Sequence, residues 1–131
     1  MKKAIALLLA LVMVFALCAC GGGGDSASGE KVVKIGVFEP ASGDSGAGGK
    51  KEMLGMQYAN QETPTVEIGG ETYKVELVYS DNGSDSAKAV SAASKLVNEK
   101  VSLVLGSYGS GVSIAASDTF KQAGIPAIGV T

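Results

Sequence analysis

Apolar positions after residue 30 fall into two alternating rhythms. Residues 32–38 are a short, nearly continuous apolar run, which predicts a buried strand, and residues 50–62 carry Met53, Leu54, Met56 and Tyr58 at helical spacing. Val66-Glu67-Ile68 and residues 73–78 alternate around Gly69-Gly70, the pattern of a hairpin whose second arm continues as a core strand. Asp81-Asn82-Gly83 then turns the chain. Residues 84–100 place Ala89, Val90, Ala93, Leu96 and Val97 on one face, an amphipathic helix that either Ser84 or Asp85 can cap. Residues 101–105 read as an apolar strand, residues 113–123 as a helix stopped by Gly124, and residues 125–130 as a strand containing Pro126. The order is β-α-β-α-β-α-β.

Strands alternating with helices predict an α/β fold, a doubly wound parallel sheet with right-handed crossovers and helices on both faces. In the flavodoxin-like strand order the first and third strands flank the topological switch point, and ligands bind outside their carboxyl ends. Two Gly- and Ser-rich loops meet that condition, residues 39–49 and residues 107–111. They put Glu39 and Ser42 on one side of the crevice and Tyr108, Gly109, Ser110 and Gly111 on the other as candidate ligand-binding residues.

The first 30 residues follow another logic. Lys2 and Lys3 precede an uncharged apolar run over residues 4–19 that ends in Leu17-Cys18-Ala19-Cys20, the layout of an export signal. The run is shorter than the roughly 18–20 residues a membrane-spanning helix needs, and Gly21 follows it instead of a basic flank. Leu, two small residues and Cys resemble the bacterial lipobox, which makes residues 1–19 the expected signal peptide and Cys20 the expected lipid-modified first residue. Residues 20–30, rich in Gly and Ser, read as a flexible tether, and residues 31–131 as the folded domain. These features predict a protein anchored by lipid to the outer face of the cytoplasmic membrane. Several acyl chains, not one, make such an anchor durable.

Composition narrows the function. The chain has 11 Lys and Arg residues together, all of them Lys, against 13 acidic residues, and no His or Trp. Loss of Lys2 and Lys3 leaves nine lysines and a net charge of about −4. This argues against a nucleic-acid partner, since no basic stripe interleaved with aromatics exists. With only Cys20 retained after cleavage, no internal disulfide can form. No nucleophile and base pair stands out, so no enzyme is expected, and no cofactor or metal.

The first loop fails as a phosphate cradle. Lys51 stands where a P-loop needs Ser or Thr after Lys50, and Gly43 is one residue too far upstream. The dinucleotide fingerprint fails too, because Lys51 occupies the position of its third Gly. Its glycines suit either close approach of a ligand to backbone or a mobile loop. The second loop leads straight into a helix whose free N–H groups favour an anion. Without Arg, the donors available for a carboxylate are the Gly111 N–H and the Ser110 hydroxyl, although Ser110 can also cap the helix.

Lys34-Ile35-Gly36-Val37, Ser42-Gly43, Gly49, Gly55, Tyr79-Ser80-Asp81, Gly106, Ala115-Ala116-Ser117-Asp118 and Gly124-Ile125-Pro126 together resemble the branched-chain amino-acid-binding proteins of ABC transporters. The resemblance runs from residue 32 to residue 131. It implies the first lobe of a two-lobed type I periplasmic-binding-protein clamshell, an amino-acid-like ligand and a membrane permease as partner. It also implies that the ligand carboxylate is held by Ser110 and Gly111, and its ammonium partly by the backbone carbonyl of Thr131. Some members place an aromatic residue late in the first loop, where Gly48 stands here, and this departure bears on the bound side chain. Glu39 and Tyr108 either lend that pocket polar character or point to solvent.

The family's first lobe continues past its fourth strand into a hinge and second lobe, so the resemblance implies an amino-terminal fragment. A ligand-sensing receptor lobe and a binder of sugars, nucleosides or amides are the alternative roles for the same fold; a doubly wound enzyme is a third.

Overall fold

The computed structural model describes residues 30–129. The signal peptide over residues 1–19, Cys20, the tether before residue 30 and Thr131 lie outside the described residues. Within them the elements are β1 (Val32–Val37), α1 (Gly46–Glu62), β2 (Thr65–Ile68), β3 (Glu71–Tyr79), α2 (Ser86–Asn98), β4 (Leu103–Leu105), α3 (Ser110–Gln122) and β5 (Ala127–Ile128).

The sheet order is β2-β3-β1-β4-β5. β1 lies between β3 and β4, parallel to both, and β5 adds parallel to β4. Only β2 runs antiparallel, through a two-residue turn at Gly69 (φ 62°) and Gly70 (φ 80°) that pairs Ile68 with Glu71. Two consecutive positive φ angles fit a type I′ hairpin turn, which glycine adopts without strain. The parallel strands follow the flavodoxin-like order, and β1 and β4 flank the switch point.

Side-chain alternation gives the sheet two unlike faces. On one, Val78 and Val104 meet α2 and α3 in a core of Ala89, Ala93, Leu96, Val112, Ala116 and Phe120. Gly36 lets α2 settle directly on β1, since a Cβ there would lie 3.0 Å from Val104 and 3.1 Å from Leu96 side-chain atoms. Phe38 and Phe120 meet edge to face at 5.5 Å between ring centroids, a favoured aromatic geometry. On the other face, Val33, Ile35, Val75, Leu77, Leu103 and Leu105 line a concavity of about 690 Å³ beneath α1. Leu54 and Tyr58, which the helical spacing groups with the core-facing positions, are 64% and 65% exposed. α1 covers its side of the sheet only in part.

Several boundaries differ from the sequence expectation. α1 begins at Gly46, not at residue 50, because Gly46 N–H donates to Gly43 O and Gly49 N–H to Ser45 O, turning the glycine run into the first helical turn. α3 begins at Ser110, three residues early, with Gly109 as its N-cap. β4 is confined to residues 103–105, although Val101 is buried just before it. β5 has two residues within the described span. Of the two possible caps for α2, Asp85 takes the role, its Oδ1 accepting from Ala87 N–H at 2.7 Å.

Leu96→Ala should lose about 2–5 kcal/mol of stability by leaving a cavity between α2 and β1. Leu54→Ala should change it by less than about 0.5 kcal/mol. Urea denaturation of the two variants side by side checks the assignment of faces, and equal losses would contradict it.

Candidate functional site

Past the carboxyl ends of β3, β1 and β4 the ladder gives way to three loops, and side chains hold them together. The first is residues 39–45, between β1 and α1. Asp81, just after β3, clamps it: its Oδ1 accepts from Ala41 N–H (2.8 Å), Ser42 N–H (3.3 Å) and Gly83 N–H (2.8 Å), and its Oδ2 accepts from Ser42 Oγ (2.7 Å). Burial acts to raise the Asp81 pKa, but the Ser42 hydroxyl and the N–H groups of Gly83, Ala41 and Ser42 outweigh it and hold the carboxyl below its ordinary value. Gly43 sits against the Gly83 carbonyl with no room for a side chain, and Ser84 Oγ donates to Ser42 O while accepting from Ser45 N–H.

Asn82 points the other way. Completely buried, it donates from Nδ2 to Phe38 O (3.1 Å) and to Ser107 Oγ (3.0 Å), and accepts at Oδ1 from Ser84 N–H (3.1 Å). One amide thus joins the ends of β1 and β4 and the loop after β3.

Residues 106–109, between β4 and α3, are fixed from beneath by Glu39. This residue is 1% exposed, and its Oε2 accepts from Tyr108 N–H at 2.8 Å. A Cβ at Gly106 would strike the Phe38 carbonyl, so the loop lies flat on the end of β1. Glu39 Oε1 and Glu52 Oε2 are both buried without a hydrogen-bond donor. Burial pushes the Glu39 carboxyl up to about 8; the Tyr108 N–H opposes the shift, and the Glu52 carboxyl beside it adds to it by hydrogen bonding and by charge. A proton on Glu39 satisfies the pair, since one carboxyl then donates to the other.

Inside the second loop Ser107 Oγ accepts from Gly109 N–H (3.3 Å), and Ser113 Oγ accepts from Ser107 N–H (3.2 Å) while donating to Gly109 O (3.4 Å). Val112 and Ser113 N–H both reach Gly109 O. The N–H groups of Ser110 and Gly111, the first two residues of α3, have no intrahelical acceptor. Ser110 does not cap α3: Gly109 is the N-cap, no side-chain cap bond forms, and the Ser110 hydroxyl is exposed. Tyr108 is 43% exposed, and its ring lies across Gly48 of α1.

The structure therefore brings Glu39, Tyr108, Gly109, Ser110 and Gly111 to one end of the sheet, with Ser42 beside them in the loop held by Asp81. Ser42 donates its hydroxyl proton to Asp81, and Glu39 lies beneath the loop, turned toward neither solvent nor the open crevice. Asn82, Ser107 and Glu52 are the residues that sequence reasoning missed. The Asn-Gly pair signalled only a turn, and nothing local marks Asn82 as buried. Among the described residues no cluster of three or more His, Cys, Asp or Glu side chains is arranged to hold a metal ion.

The periplasmic binding protein family model matches residues 32–131. A Leu/Ile/Val-binding protein homolog 2 from Brucella abortus is 32% identical over 93 residues, spanning 71% of this chain. The leucine binding protein LivK of Thermotoga maritima superposes with a TM-score of 0.68 at 34% identity, covering 75% of this chain and 27% of its own. The branched-chain amino acid transporter substrate binding protein LivJ of Streptococcus pneumoniae, solved in complex with isoleucine, superposes with a TM-score of 0.66 at 35% identity, covering 76% of this chain and 28% of its own. The chain spans 25% of the length of the Brucella protein.

The buried Glu39 makes stability pH-dependent in a defined direction. The folded chain keeps its proton up to about pH 8, whereas the unfolded chain releases it near 4.5. Stability from this group is complete below the lower value and declines as pH rises to the upper one, by at most about 1.4 kcal/mol per unit. Glu39→Gln should flatten that decline in urea midpoints measured from about pH 4.5 to about pH 8.5. An unchanged slope would show that Glu39 is not the proton-holding group.

Proposed function

This chain belongs to the periplasmic binding protein family, and on that premise we propose that it is the amino-terminal part of the substrate-binding component of an ABC importer. Its ligand is an amino acid or a similar small polar carboxylate. The observation that carries the reading is the start of α3, where the Ser110 and Gly111 N–H groups have no intrahelical acceptor and the Ser110 hydroxyl is exposed. Every backbone N–H of the preceding residues 106–109 already has a partner. Two adjacent N–H groups, one hydroxyl and the positive end of a 13-residue helix suit a carboxylate. A lone hydroxyl or sugar ring does not match that charge.

Ser110 and Gly111 hold the carboxylate, with Gly109 shaping the turn that aims them. Thr131, which follows β5 in sequence, offers its carbonyl to the ammonium group. Ser42 and Glu39 support the crevice from behind, one through Asp81 and the other through the Tyr108 N–H. A second lobe, in a longer chain of the length its relatives have, closes over the ligand, and the closed form docks on a membrane permease. Differential affinity for the two states makes ligand the trigger. The protein is not an enzyme. It is exported and held at the outer face of the cytoplasmic membrane by lipid on Cys20, after removal of residues 1–19.

A thermal-shift screen of the full-length protein with Cys20 replaced, against amino acids, sugars and nucleosides, tests the reading. Stabilisation is expected with amino acids, and Ser110→Ala should weaken their binding roughly 10- to 150-fold, the range for a hydrogen bond to a charged group. Stabilisation by a sugar or nucleoside alone would overturn the amino-acid assignment.

A further inference from the structure

The Tyr108 ring bridges the two loops of the switch point. It is rooted after β4, yet it lies on Gly48, in the first turn of α1. A Cβ at position 48 would stand 2.6 Å from Tyr108 Cε2 and 2.7 Å from Cζ, closer than any real side-chain contact. The ring thus occupies the volume that any side chain at position 48 needs, and Gly48 is what admits it.

Its root is rigid. The Tyr108 N–H donates to the buried Glu39 carboxyl, Gly106 is pressed on the Phe38 carbonyl, and the Ser107 and Ser113 hydroxyls fix the backbone on either side. Tyr108 is nonetheless 43% exposed, and its phenol makes no hydrogen bond among the described residues. The ring stands two residues before Ser110. A ligand anchored by its carboxylate at the start of α3 brings its own side chain within reach of the ring.

We propose that Tyr108, seated on Gly48, is the residue that sets the size of the ligand side chain: its ring forms the wall separating the carboxylate site from α1. This inference rests on the amino-acid reading above and adds the determinant of choice among amino acids. Gly48 bounds the ring on the α1 side, so a side chain added there pushes the ring away from α1. The two positions therefore act in opposite senses. Removing the ring enlarges the space for the ligand, and adding a methyl group to Gly48 drives the ring into it.

The test is calorimetric titration of the full-length protein with L-alanine, L-valine and L-phenylalanine, for the wild type, Tyr108→Ala, Tyr108→Phe and Gly48→Ala. Tyr108→Ala should shift the phenylalanine-to-alanine affinity ratio toward phenylalanine by about tenfold or more, and Gly48→Ala should shift it toward alanine, in keeping with what one or two methylenes contribute in a pocket. Tyr108→Phe should leave the ratio within about threefold, because the ring and not the hydroxyl sets the size. Uniform weakening toward all three ligands by both Tyr108→Ala and Gly48→Ala would overturn the proposal while leaving amino-acid capture standing. A wild-type protein that binds none of a full amino-acid panel would overturn the capture reading and this inference with it.

Discussion

The site depends on one buried amide. Strand ladders hold β3, β1 and β4 together as far as residues 79, 37 and 105, and past that line each chain turns away on its own course. Asn82 replaces the ladder there, donating to the β1 end and to Ser107 and accepting from Ser84. An unsatisfied buried polar group costs about 1–3 kcal/mol, so the three loops cannot separate without exposing or orphaning that amide. Its neighbour Asp81 faces outward and gathers the N–H groups of the first loop. Two consecutive residues thus divide the work between the interior and the rim of the crevice.

The same economy of donors explains the start of α3. Ser107 and Ser113 satisfy the backbone on either side of Gly109, and Glu39 takes the Tyr108 N–H. What is left over is a pair of N–H groups at the positive end of a helix, in a region where almost every other polar group is engaged. Burying a carboxyl under that loop is costly if the group is charged, and the proton retained on Glu39 reduces the cost. Neutralised, it supports the loop without setting a negative charge beneath the place where an anionic ligand group would sit.

The two faces of the sheet differ as much as its two ends. Under α2 and α3 the small residues Ala89, Ala93 and Ala116, with Gly36 below them, allow close approach and a closely packed core. Under α1, Val33, Ile35, Leu77 and Leu103 are left lining a concavity. Their alternation with core-facing residues along each strand is what a sheet with two covered faces requires.

Much of this was legible along the chain because it depends on near neighbours. The Gly69-Gly70 hairpin, the amphipathic face of α2 and the β-α alternation are local patterns, and once the flavodoxin-like strand order is taken for that alternation, the two switch-point loops follow. The start of α1 was not legible, since the glycines at 46, 48 and 49 argue against a helix until the Asp81 clamp aligns their loop. Nor was the role of Ser110, which local rules allow as a cap and which Gly109 displaces. Burial of Glu39 and Asn82 was beyond reach for a deeper reason. Local propensity speaks for solvent at a charged residue and for a surface turn at Asn-Gly, and partners 25 to 69 positions away in the chain reverse that preference. Sequence by itself determined which loops meet; tertiary contacts decided which of their polar groups are satisfied, and so which remain for a ligand.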